Sequence, residues 1–258
     1  MTTTQVDIVT VPRITRGPEA DRLAAAAYDR LIALLESLPD DAWGRPTDCA
    51  AWTVHAMVAH LVGAARGHAS RVEFVRQVVH GQRAKGAFDG NDMDAMNAYQ
   101  VERNEHLTPA ELIAELRALA PRAVRGRART PGLLRRRRIP MAPSGSVASG
   151  TPASIGLGEL MDVILTRDVW LHRIDICRAV GRRPDLDQDV DGRIVADIVA
   201  DWAARHGRPV DLELTGPAGG RFVQGDRGEH LVLDAVEFCR ILSGRAGGEG
   251  LLRTKVVF

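Results

Sequence analysis

Aromatic residues are scarce: Phe, Trp and Tyr together supply 4% of the 258 residues. A surface that binds single-stranded nucleic acid by stacking bases on rings would have few rings to use, so Leu, Ala, Val and Ile must build the core. Cysteine is scarcer still. Cys49, Cys177 and Cys239 lie far apart and form no CxxC pair, which excludes a disulfide scaffold and a cysteine-only zinc site and points to a reducing compartment. Excess charge of one sign is missing too, with 34 Lys+Arg against 33 Asp+Glu and 45% hydrophobic residues. That balance excludes a disordered polyelectrolyte. No run approaches the roughly 18 uninterrupted apolar residues of a membrane span, and the first 22 residues lack a charged-then-apolar signal pattern. The expectation is a soluble cytoplasmic protein, long enough for one large domain or two modest ones.

What the chain does have is helical periodicity. Leu23, Ala27, Leu31, Leu34, Leu35 and Leu38 recur at threes and fours, which predicts an amphipathic helix over 19–38 stopped by Pro39. Residues 41–52, with Pro, Gly and two Trp, predict a loop, and Thr53 can cap a helix running to about Val79. Its inner face would carry Met57, His60, Leu61 and Ala64. A third helix is expected near Met93–Asn104, and Thr108-Pro109-Ala110-Glu111 spells a capping box that starts a fourth, fading near Arg125. Residues 126–156 lose the period and predict a long loop that either covers a site or is surface slack. Helices over 157–180 and 190–206 follow. After Pro209 the period falls to two, which predicts short strands, a helix over 235–243 and a final strand LLRTKVVF. The expected architecture is α+β, a helical bundle over 1–207 with a small C-terminal α/β domain over 208–258.

Chemistry is suggested by Asp168 and His172, four apart and therefore on one helical face. The pair fits either two metal ligands one turn apart or a surface hydrogen bond. His60, inward among aliphatics, fits a third ligand or a core histidine bonded to a backbone carbonyl. Together the three would give two nitrogens and an oxygen with an open position, the pattern of a catalytic zinc site. Asp175 could orient His172 or pair with Arg173 or Arg178. Arg103 and Arg240 could each orient a carboxylate substrate or make a structural ion pair. Eight arginines and no acid lie between Arg122 and Arg138. With the net charge near zero, a solvated loop is favoured over nucleic-acid contact. Cys49 fits a packed thiol better than an activated one, and Cys177 and Cys239 fit core positions.

Residues 46–61 (PTDCAAWTVHAMVAHL) resemble the N-terminal signature of the mycothiol-dependent maleylpyruvate isomerase family, within the DinB-like metalloenzymes. Residues 168–175 (DVWLHRID) resemble its second metal motif, and residues 214–220 and 233–245 resemble the small α/β domain of many members. The resemblance implies a DinB-like four-helix bundle holding a divalent metal, usually zinc, through His60, His172 and the carboxylate of Asp168. The family's founding activity has Glu at that last position, so Asp168 shortens the reach by one methylene while keeping a hard oxygen ligand. It further implies mycothiol as cosubstrate and a small electrophile as partner. Zinc deprotonates a bound thiol near neutral pH. Addition to a double bond followed by expulsion is cis–trans isomerisation, and addition without expulsion is S-transfer. No membrane partner is implied, and a homodimer is left open. The rival from another class is a non-catalytic metal- or ligand-binding protein on the same bundle.

Overall fold

In the computed structural model, residues 5–140 and 153–258 are described. They form two compact units, one of residues 15–140 with 153–183 and the other of residues 5–14 with 184–258. The chain enters as a short strand, β1 (Gln5–Asp7), of the second unit.

The first unit is the helical one. Helix α1 (Pro18–Glu36) begins with Pro in its first turn and two acidic residues, Glu19 and Asp21, facing the positive end of the helix dipole. Thr53 caps α2 (Val54–Ala69) through a hydrogen bond to its side chain from the Ala56 amide. The expected single helix over 53–79 is broken at Ser70, whose extended backbone ends α2 and whose hydroxyl caps α3 (Arg71–Ala84). A serine oxygen offers the following amides an alternative partner, and this outweighs the continuing apolar period. Asn91 caps α4 (Asp92–Glu102), and the Thr108–Glu111 capping box opens α5 (Pro109–Ala128) as expected.

The loop expected over 126–156 is partly ordered. Helix α5 continues to Ala128, a short α6 (Gly132–Arg135) follows, and β2 (Arg138–Pro140) pairs antiparallel with β3 (Ser154–Gly156). The rest of that loop lies outside the described residues. Then α7 (Leu157–Glu159), a π turn (Leu160–Ile164) and α8 (Leu165–Ala179) run on as the expected long helix. Helices α1, α2, α5 and α8 pack as a four-helix bundle. Their inner stripes, with Leu31, Leu35, Met57, Leu61, Leu112, Leu116 and Ile176 among them, form one apolar core.

In the second unit a π turn (Gln188–Gly192) leads into α9 (Arg193–His206), which the sequence places with the bundle but which packs here against the sheet's own elements. Strands β4 (Val210–Thr215), β5 (Gly220–Gln224) and β6 (Glu229–Asp234) then precede α10 (Ala235–Leu242). The sheet order is β1-β5-β4-β6, with β1 parallel to β5, β5 antiparallel to β4, and β4 parallel to β6. The alternation of VDLELT buries Val210, Leu212 and Leu214 on one face. Trp202 anchors α9: its ring meets Phe238 edge-on and its Nε1 donates to the Leu251 carbonyl. The expected final strand is absent. Residues 250–253 form a 3-10 turn, and the Val256 amide and Lys255 ammonium bond instead to carbonyls at the end of α10. The fold is α+β, a four-helix bundle in one unit and a small mixed sheet with helices in the other, and among the described residues no helix is long and apolar enough to cross a membrane.

Candidate metal centre

His60 sits on the inner face of α2, between aliphatic neighbours that are almost fully buried, and is itself 5% exposed. Asp168 and His172 leave α8 one turn apart, as their spacing requires. The three meet at one point between α2 and α8, their ligand atoms all within 4.8 Å of one another. His172 Nε2 lies 3.2 Å from Asp168 Oδ1, and His60 Nε2 lies 3.8 Å from Asp168 Oδ2. Ligand atoms at ~2.0–2.2 Å from a tetrahedral zinc stand ~3.3–3.6 Å apart, so these spacings suit one ion.

The other ring nitrogens separate the two histidines. His172 Nδ1 lies 3.1 Å from Oδ2 of Asp175, which is fully buried. A carboxylate there favours a proton on Nδ1 and turns Nε2 to the centre, where its lone pair would serve a metal that displaces the second proton. Asp175 therefore bonds to the histidine, and Arg178 reaches Asp48 instead. His60 Nδ1 is buried with no hydrogen-bond partner. If that nitrogen carries the proton, the Nε2 lone pair faces a carboxylate oxygen. If Nε2 carries it, the 3.8 Å separation is too long for a hydrogen bond. Either tautomer is poorly satisfied by protein alone, whereas a cation between Nε2 and Asp168 is attracted to both. The donor set fits a divalent metal.

Electrostatics point the same way. Burial alone would raise the Asp168 carboxyl, but the charge and hydrogen bond of His172, with His60 close by, outweigh it and hold the group well below the usual range. His172 is opposed by burial, yet Asp168, then Asp175 and Cys49, push it well above an ordinary imidazole. The cluster concentrates negative potential at a point walled by apolar side chains. Asp168 is its more open member, with 24% of the side chain exposed.

Two neighbours of the cluster were not placed there by sequence reasoning, which left Trp52 in a loop and read Cys49 as a packed thiol. Trp52, in the loop before α2, lays its ring 4.8 Å from His60 and 5.9 Å from His172. Cys49 stands within reach of His172 and Asp175, so its surroundings are polar as well as packed. Both come from the irregular loop, where no period shows which way a side chain points. The two arginines singled out as substrate-orienting lie one in each unit. Arg103 is exposed at the end of α4 and lines a small cavity with Arg66, Arg76 and Gln100. Arg240 belongs to the other unit, where it is buried on α10 and donates to Glu237 at 2.6 Å.

Residues 24–177 match the family model described as the mycothiol maleylpyruvate isomerase N-terminal domain, a span that contains His60, Asp168 and His172. No curated protein matches the chain. Among solved structures, the chain is similar to a mycothiol-dependent maleylpyruvate isomerase, with a TM-score of 0.54 and 14% identity over 93% of this chain and 92% of that one. A histidine-to-alanine mutant of a mycothiol-dependent maleylpyruvate isomerase gives 0.53 and 15% over the same shares. At that identity the likeness is one of fold.

Proposed function

We propose, from the premise that this chain belongs to the mycothiol maleylpyruvate isomerase N-terminal domain family, that it is a thiol-dependent enzyme built around a divalent metal. His60, Asp168 and His172 would hold the ion, zinc in the first instance. A low-molecular-weight thiol, mycothiol, would be the cosubstrate, and a small electrophile such as maleylpyruvate the substrate. The carrying observation is the convergence of two imidazole Nε2 atoms and one carboxylate on a single point.

A metal bound there would supply positive charge that stabilises a thiolate at neutral pH. The protein's own residues do the rest. Asp175 holds the His172 ring by Nδ1, so that imidazole does not have to be ordered when a ligand arrives. Trp52 covers both rings and limits water at the centre. The more open Asp168 marks the side from which a thiol can approach. Addition of the thiol sulfur to a cis double bond leaves a single bond. Rotation and expulsion then give the trans isomer, whereas retention gives an S-conjugate. Arg103 remains proposed to orient a carboxylate from its exposed position, and Arg240 from its buried one.

Elemental analysis of protein purified without added metal should find near one zinc per chain in wild type and little in His172→Ala. Mycothiol-dependent loss of maleylpyruvate should vanish in the same variant. A full equivalent of zinc in His172→Ala would overturn the ligand set. Intact metal with no turnover across a panel of electrophiles would favour the non-catalytic binding protein.

A further inference from the structure

Outside the metal centre, α1 and α5 leave between them a groove of about 640 Å³. Its floor is short-chained and apolar, built mainly from Ala25, Ile32, Ala120, Pro121 and Val124. Its two walls carry opposite charge. Asp21, Asp29 and Glu36 stand along α1, and Arg117 and Arg125 along α5, with Arg129 just past its end. Asp29, Glu36, Arg117, Pro121, Arg125 and Arg129 are exposed, so no other part of the described chain covers this face.

The two walls are in register. Glu36 pairs with Arg117 across the groove, and in the core below it Arg127 Nη2 donates to the Tyr28 hydroxyl at 2.8 Å. Those contacts run α1 antiparallel to α5. Counted from the Glu36–Arg117 pair, Asp29 lies about 10.5 Å back along α1 and Arg125 about 12 Å on along α5, at 1.5 Å of rise per residue. The two stand at one level yet form no ion pair within the chain, and among the described residues Asp21 and Arg129, toward the same end of the groove, form none either. A second copy can lie on this face with its helices along these in two ways. A two-fold axis across the helices sets α1 on the partner's α1, acid against acid. An axis along the groove sets α1 on the partner's α5 at the same level, so that Asp29 meets the partner's Arg125 and the contact occurs twice.

We infer that this face pairs two copies of the chain about a two-fold axis lying along the α1–α5 groove. The apolar floors meet at the centre, where Ala25, Ala33 and Ala128 present no long side chain to hold the partner's helices away. The opposite-charge walls meet at the rims. From Asp21 to Glu36 the face is about 22 Å long, and two helices side by side are about 20 Å wide, so the two copies hide on the order of 900 Å². That is the low end of specific interfaces, and the expected pairing is reversible at micromolar concentration. It goes beyond the function proposed above and requires neither metal nor thiol.

The test is sedimentation velocity of the full chain from about 1 to about 100 µM, a range that spans a micromolar equilibrium. Wild type should pass from monomer to dimer across it and return toward monomer as salt rises. Asp29→Arg and Arg125→Asp, both at exposed positions, should each weaken the dimer at least about 10-fold, since each sets two like-charge contacts in every pair. Mixed in equal amounts, the two variants should associate to within about 3-fold of wild type, because every such contact in the mixed dimer again joins an arginine to an aspartate. A role for these residues within one chain is not rescued by mixing. Ala33→Arg, exposed on the same face, should remain monomeric throughout. A wild type that stays monomeric at about 100 µM would leave the groove to solvent or to a different protein and overturn the inference. So would a wild-type dimer that Asp29→Arg and Ala33→Arg leave unchanged, or single variants that weaken it without recovery on mixing.

Discussion

His172 is held at both ring nitrogens, by Asp168 on one side and Asp175 on the other. Its position was legible in the sequence because both partners lie on its own helix at fixed helical offsets. His60 was legible as an inward residue, since the apolar period of α2 sets its face. Trp52, Cys49 and Arg127 were not, because the groups they meet come from other elements and nothing local reports them. His68 shows what such non-local placement does to a titration. In the fold its pKa falls from 6.5 to about 3, through burial first and Arg127 second. An unfolded chain would bind a proton near pH 6.5 while the folded one stays neutral. Stability from this residue is therefore present above pH 6.5 and is lost as pH falls toward 3, at up to about 1.4 kcal/mol per unit. His68→Gln should flatten that slope. Urea midpoints for variant and parent measured between pH 7 and pH 4.5 should converge or cross, and parallel curves would show that His68 titrates as it would in water.

Elements were read well where local signals agree and poorly where a local cap competes with a continuing pattern. The Thr108–Glu111 box and the stripe of α1 are each self-contained over a few turns. Ser70 sits inside a run that keeps its helical period, so only the side-chain bond of Ser70 to the Glu73 amide, seen in three dimensions, reveals two helices. Gly126 on α5 raises a similar contest. Alanine is about 1 kcal/mol better than glycine inside a helix, and its neighbours give no sequence reason to avoid it. A β-carbon there, however, would collide with the backbone carbonyl of His68 at the end of α2. Backbone yields less readily than a side chain, and such overpacking costs about 1–3 kcal/mol. Close packing of α2 on α5 should win. Gly126→Ala should lose up to about 2 kcal/mol in a urea melt, the overpacking cost less the propensity gain, whereas a gain would mean that the two helices separate at little cost.

Across the whole molecule, the period-two stretches of 210–234 announced a sheet, but its fourth strand is β1, paired with β5 more than 200 residues away. Three residues carry too little pattern to be recognised, and pairing at that separation leaves no trace in either segment. The tail erred oppositely: LLRTKVVF has strand composition, yet its polar groups bond to the end of α10. The bundle's inner surface joins apolar stripes to one polar cluster, and the same separation of roles governs how the molecule should respond to metal. A cation held between α2 and α8, as proposed, would bind the folded chain and not the unfolded one. It would therefore stabilise by mass action, by about 2.7 kcal/mol when free metal is 100-fold above the dissociation constant. Chelation should lower the melting temperature of wild type by several degrees and return of zinc should restore it. His172→Ala should melt near the chelated wild type and respond to neither treatment. A chelator-insensitive wild type that melts well above His172→Ala would instead mean that the His60–Asp168–His172 cluster stabilises the bundle through its own hydrogen bonds and carries no exchangeable ion.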